Sequence, residues 1–110
     1  MKTRIFEFNQ DVAISYGLDM NDILLLHWFV NNLNTSKIKM KLIQQKPYYW
    51  VFYEFVITEL PILKISSRIV LRRRFKKLCD CHVLHFFLEK NENGTHTYYT
   101  LGENFSNLVS

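Results

Sequence analysis

A chain of 110 residues, 48% hydrophobic and 22% charged, has the size and composition expected of one compact soluble domain spanning 1–110, with no room for a second. Its longest apolar run, Ile23 to Val30, is interrupted by His27 and falls far short of the roughly 20 residues that cross a bilayer. Lys2 and Arg4 lead into a mixed segment and not into the apolar core of a secretory leader, so a cytoplasmic protein without a membrane partner is expected. The net charge of +4 is unevenly spread: Lys64, Arg68, Arg72, Arg73, Arg74, Lys76 and Lys77 lie between Pro61 and Leu78 without an acid, which leaves the rest of the chain at −3. A mildly acidic body with one basic element is the footprint of a polyanion binder.

Along the chain, Asn9 to Tyr16 carries Val12, Ala13 and Tyr16 at helical spacing and is stopped by Gly17. Asp19 caps a second predicted helix that runs to about Leu33, with Asp22 in its first turn, where negative charge suits the helix dipole. Apolar residues cover nearly every side of that helix, which makes it central, with His27 as a core or boundary residue. Asn34 to Gln45 alternates lysines with Ile38, Met40 and Leu42, as a strand or a semi-ordered excursion would. Tyr48 to Phe52 favours a short strand.

Glu54 to Leu60 reads as a short helix ended by Pro61, followed by a link over Ile62 to Ile65. Ser66 or Ser67 then caps a helix that continues to about Cys79. At 100° per residue, Leu71, Phe75 and Leu78 form its apolar stripe, with Ile69, Arg72, Arg73, Lys76 and Lys77 on the far side. Arg74 lies at the stripe's edge, within reach of an acid such as Glu54 or Glu59, and no acid on the helix is counted as an i,i+4 partner for the cations. Asn93-Gly94 is a two-residue turn signal between Val83 to Glu89 and Thr95 to Leu101. That tip would place Leu88 opposite Tyr99, Phe86 opposite Leu101, Glu89 opposite Tyr98 and Phe87 opposite Thr100. One face is then apolar, and the other, with His85, Phe87 and Tyr98, is aromatic enough to need covering by a partner or by the tail Phe105 to Val109.

The order helix, helix, strand, helix, helix, strand, strand is that of a winged helix-turn-helix: mostly helical, with a small antiparallel sheet and a C-terminal wing hairpin over 83–101. In that arrangement 66–79 is the recognition helix and the expected partner is double-stranded DNA. The residues expected to touch it are Arg72 and Arg73 at base edges, Lys76 and Lys77 at phosphates, Ser66 and Ser67 at the helix amino end, and Lys64 and Arg68 as lesser phosphate contacts. Lys90, Asn91, Asn93, Thr95 and His96 are the expected contacts from the wing. A protein-interaction or oligomerisation module and a transcriptional repressor are the competing readings.

Four tracts carry a resemblance: Tyr49-Trp50-Val51, Thr58-Glu59-Leu60-Pro61-Ile62-Leu63, Arg73-Arg74-Phe75-Lys76-Lys77-Leu78 and Tyr98-Tyr99-Thr100-Leu101-Gly102-Glu103-Asn104-Phe105. In order and spacing they resemble the N-terminal winged-helix domain of replication initiator proteins from phages and plasmids of low-GC Gram-positive bacteria, and stand-alone accessory DNA-binding proteins of conjugative plasmids. The resemblance implies binding at an origin of replication or of transfer, other replication or relaxosome proteins or a homo-oligomer as partners, and no enzymatic role. Where such domains commonly close the recognition helix with glycine, this chain has His82, which tolerates positive φ better than branched residues do.

Other chemistry finds little support. Glycines at 17, 94 and 102 cannot build a phosphate-binding loop. Cys79-x-Cys81-His82-x-x-His85 offers zinc-type ligands, but its cysteines are too close for the usual pairing and it crosses from a helix end into a strand. A cysteine beside one of these histidines lacks an orienting third group. Neither a metal nor a cofactor is expected, and Cys79 and Cys81 are too close to form a loop-closing disulfide.

Overall fold

In the computed structural model, which describes residues 4–35 and 37–110, apolar side chains from every major element gather in one cluster around Phe8, Leu25, Leu26, Phe29, Leu71, Phe75 and Leu78, each fully buried. Lys2, part of the charged opening noted in the sequence, lies outside the described residues. Two short strands, β1 (Arg4–Ile5) and β2 (Phe8–Asn9), pair antiparallel ahead of α1 (Gln10–Ser15). Asn9 caps α1, its side chain accepting from the Val12 N–H at 3.1 Å. Gly17 closes the helix at φ +76, and the Leu18 N–H reaches back to the Ala13 carbonyl.

Helix α2 (Met20–Asn31) is central, as its all-round apolar character predicts, with Ile23, Leu25, Leu26, Trp28 and Phe29 buried. Asp19 and Asp22 form a reciprocal capping box: each carboxylate accepts the other's backbone N–H, at 2.9 and 3.0 Å. His27 sits at the boundary, Nδ1 3.0 Å from Glu7 and Nε2 2.9 Å from the Asn31 amide, with Phe6 stacked on its ring.

The alternating segment resolves into β3 (Met40–Ile43), which pairs with β4 (Lys46–Trp50). β5 (Leu84–Asn91) and β6 (Gly94–Leu101) complete a four-stranded antiparallel sheet in the order β3-β4-β6-β5. The remaining helices are α3 (Tyr53–Glu59), α4 (Arg68–Asp80) and α5 (Phe105–Val109). A 3-10 turn over Pro61–Leu63 fills the link expected after Pro61, and Lys64 follows it at φ +54. Among the described residues the result is an α+β fold of five α-helices, a four-stranded antiparallel sheet and the short β1–β2 pair.

The register of the last hairpin differs from expectation. Leu88 lies opposite Thr97, Phe86 opposite Tyr99, Glu89 opposite His96 and Phe87 opposite Tyr98. The turn is Glu92-Asn93 and not Asn93-Gly94, because the Asn91 side chain accepts the Asn93 N–H at 2.8 Å and starts the turn one residue early. Gly94 takes positive φ, +111, as the first residue of β6, as glycine does in a bulged connection. Each partner moves by two residues, so the division into faces survives.

On the inner face Tyr99 stacks on Phe75 with ring centroids 4.6 Å apart, and its hydroxyl meets that of Tyr53 at 2.8 Å. Burial, and then the Tyr53 hydroxyl beside it, push the Tyr99 phenol far up, so it stays neutral. On the outer face Tyr48 meets Phe87 edge-on and Lys41 pairs with Glu89. The C-terminal tail does not cover that face: α5 packs on β2 and α1, with Phe105 edge-on to Phe8 at 6.2 Å.

Candidate nucleic-acid interface

Helix α4 is fixed from three sides. Leu71, Phe75 and Leu78 are fully buried, which bears out the phase read from the sequence. Ser67 is the cap, its Oγ accepting the Ile69 N–H at 3.2 Å, while Ser66 stays exposed. At the carboxyl end His82 takes φ +62, the Val83 N–H returns to the Leu78 carbonyl and the His82 N–H to that of Cys79. Those two bonds, with Leu78 and Val83 buried together, complete the helix-closing motif usually built on glycine.

The seven cations of the basic run divide sharply. Arg72 and Arg73 are exposed and, among the described residues, meet no acid, and the same holds for Lys64. Arg68 meets Glu54 at 3.2 Å and Lys76 meets Asp80 at 3.0 Å, each pair largely exposed. The helix is not free of acid, as its count in the sequence had it: α4 runs one turn beyond Lys77 and includes Asp80.

Arg74 is not paired with Glu54 or Glu59, as expected from the sequence, but with the α2 capping box. Its Nη1 donates to both Asp19 oxygens at 2.9 and 3.0 Å and to Asp22 at 2.9 Å. Lys77, expected on the far side, folds back to the same fully buried Asp22. The capping residues at the start of α2 therefore also anchor α4. Burial disfavours the Asp19 charge, but the Asp22 N–H and then the Arg74 guanidinium outweigh it and hold the carboxyl down at about 2.

At the amino end of α4, Tyr53, Ser66, Ser67, Arg68, Ile69 and Arg72 line a surface hollow of about 550 Å³. No acid lies in the helix's own first turn, and the carboxylate that reaches this end, Glu54, pairs with Arg68. Ile69 and Val70 remain 58% and 41% exposed beside the arginines, which gives this end an apolar as well as a cationic surface.

The residues expected from the hairpin lie elsewhere. Lys90, Asn91, Asn93 and Thr95 are exposed at its tip, about 20 Å of extended strand from the buried base at Leu84. His96 stands apart from them, half-buried with its ring edge-on to Trp50 at 5.2 Å. Along β5, Phe86 and Leu88 on one face and Phe87 on the other are 59%, 45% and 38% exposed, although the face pattern alone placed Phe86 and Leu88 in the core.

The two cysteines are free. Burial pushes the Cys79 thiol up to about 12 and raises that of Cys81, so both are protonated at neutral pH. Among the described residues no helix is long and apolar enough to cross a membrane. Comparison of the chain with family models, curated proteins and solved structures finds no match.

Proposed function

We propose that this chain is a winged helix-turn-helix domain that binds double-stranded DNA sequence-specifically, at an origin of replication or of transfer on a plasmid or phage, and that it has no catalytic role. The observation that carries the reading is the pair Arg72 and Arg73, exposed and, among the described residues, without acid partners, on the outer side of a helix whose opposite stripe is fully buried. In this reading α3 and α4 are the helix-turn-helix, the amino half of α4 enters the major groove, and Arg72 and Arg73 reach base edges. Ser66, Ser67 and the free amides around them receive a phosphate. The β5–β6 hairpin is the wing, with Lys90, Asn91, Asn93 and Thr95 toward backbone or minor groove.

Charge pairing narrows the expected contacts. Exposed pairs such as Arg68–Glu54 and Lys76–Asp80 contribute about 0–1 kcal/mol, so a phosphate can take the carboxylate's place. Lys77 stays with Asp22, because removing it would strip a partner from a fully buried carboxylate. The test is binding to duplex DNA, including DNA flanking the native gene, at several salt concentrations. Affinity should fall steeply with salt and the slope should shrink by about one for each phosphate-contacting cation replaced by Ala. Affinity that is flat in salt would sink the reading.

The exposed Phe86 and Leu88 on one face of β5, with Phe87 exposed on the other, favour a second reading, a protein-interaction or self-association module. Its signature is association that survives high salt and is lost on Phe86→Ser.

A further inference from the structure

Three side chains outside the basic helix converge at the base of the hairpin: His82 after α4, His85 in β5 and Glu103 after β6. Each offers one ligand atom, and the three atoms lie within 4.8 Å of one another. His85 Nε2 is 2.8 Å and His82 Nδ1 3.7 Å from the same Glu103 oxygen. Arms of about 2.1 Å in a tetrahedral zinc site place donor atoms roughly 3.4 Å apart, so small side-chain rotations bring these three onto one ion. The geometry points to a surface site for a divalent transition metal, Zn²⁺ in the first instance, held by His82, His85 and Glu103 with its remaining position open to solvent.

The backbone that carries the ligands is fixed independently of any ion. The left-handed conformation of His82 is locked by the helix-closing bonds, and its carbonyl accepts the Asn104 N–H at 2.9 Å. The Gly102 N–H donates to the Val83 carbonyl at 2.8 Å, and the Asn104 side chain donates to the Cys81 carbonyl at 3.0 Å. Gly102 allows this close approach, since a Cβ there would stand 2.3 Å from the His82 oxygen. His85 is positioned by the ladder, opposite Thr100. Two chain segments, the stretch carrying His82 and His85 and the one carrying Glu103, thus present two imidazoles and a carboxylate on a preformed frame. That ligand set suits zinc with an open position, and the exposure of His82 and Glu103 leaves an entry path.

The cysteines of the Cys79-x-Cys81-His82-x-x-His85 pattern do not belong to the site. The two histidines converge on a glutamate 18 residues beyond His85, a juxtaposition that only the fold creates. Zinc bound here would tie the end of α4 to both strands of the hairpin and raise stability by mass action. The inference is independent of the DNA reading.

The test is thermal melting and calorimetric titration of chelator-treated protein with ZnCl₂ alone at neutral pH, with Co²⁺ absorption as a check on ligand geometry. Zinc should bind at one equivalent and raise Tm. His85→Ala and the exposed, near-isosteric Glu103→Gln should each weaken binding by at least the 10- to 100-fold typical of losing an outer-shell partner. The double variant Cys79→Ser, Cys81→Ser should keep the response. No stoichiometric zinc binding, a response that survives Glu103→Gln and His85→Ala together, or one abolished by the cysteine variant would overturn the assignment.

Discussion

The basic run of α4 has two flanks that look alike in sequence and differ in what surrounds them. On the outer flank Arg72 and Arg73 project into solvent without acid partners among the described residues. On the inner flank Arg74 and Lys77 close over the capping box of α2 and neutralise a carboxylate, Asp22, that has no solvent exposure. Cations of one helix thus do opposite work: one pair is free to meet a polyanion, and the other holds the helix in place. A cation's availability is set by the elements packed against its helix, and a count along the helix does not report it.

The sharpest way to break this comparison is to remove the inner guanidinium. Arg74→Ala leaves Asp22 buried with Lys77 as its remaining cation and the Asp19 N–H as its backbone donor, and breaking a buried ion pair from one side costs about 3–5 kcal/mol. The retained lysine places the expected loss near the lower end, about 3 kcal/mol, read by urea denaturation. A loss below about 1 kcal/mol would mean that the inner flank is no more structural than the outer.

The outer flank should behave in the opposite way. Arg72→Ala and Arg73→Ala remove exposed groups that form no ion pair among the described residues, so Tm should barely change. Under the proposed function each costs about 1–3 kcal/mol of duplex binding at its own base position, or about 5- to 150-fold in Kd. Melting curves and binding isotherms on the same preparations separate the flanks. If both variants bind like the parent, the outer flank has no part in recognition.

Much of the framework was legible because local signals agreed with the tertiary structure. The cap at Asp19, the cap at Ser66 or Ser67, of which the structure uses Ser67, the stops at Gly17 and Pro61, and the stripe Leu71, Phe75, Leu78 all follow from short-range chemistry. The ion cluster was not legible, since Asp22 is 52 residues from Arg74 and its first-turn position already had a local explanation in the dipole. Nor was the site at His82, His85 and Glu103, which needs the hairpin's closure to bring Glu103 back to the end of α4.

The two hairpins show where turn chemistry misleads. Asn93-Gly94 carries the favoured two-residue signal, yet the Asn91 side chain moves the turn back one residue. Gln44-Gln45 carries no such signal, yet both residues take positive φ, 53° and 66°, in a two-residue loop between Ile43 and Lys46. Pairing of β3 with β4 imposes on two glutamines a conformation costing roughly 1 kcal/mol or more per residue. Replacing Gln44-Gln45 by Asn-Gly should therefore raise stability by about 1 kcal/mol, measured by thermal melting, without altering either flank of α4.

The smallest expected effect returns to the two flanks through pH. Asp19 is half-exposed, and its carboxyl is held down at about 2 against an ordinary value of 3.8. Burial raises it, while the Asp22 N–H, Arg74 and more distantly Lys77 lower it further. A depressed carboxylate adds stability that is fully present above the unfolded value and is lost as pH falls through the folded one. The contribution should therefore be constant above about pH 4 and fade between about pH 4 and pH 2. In Asp19→Asn that stretch of acid sensitivity should flatten. By carboxyl NMR, Arg74→Ala should move the Asp19 midpoint up toward 3.8, short of it because the Asp22 N–H remains, whereas Arg72→Ala should leave it in place. An Asp19 midpoint already at its ordinary value in the parent protein would dissolve the inner flank as an electrostatic unit and leave the buried stripe alone to orient α4.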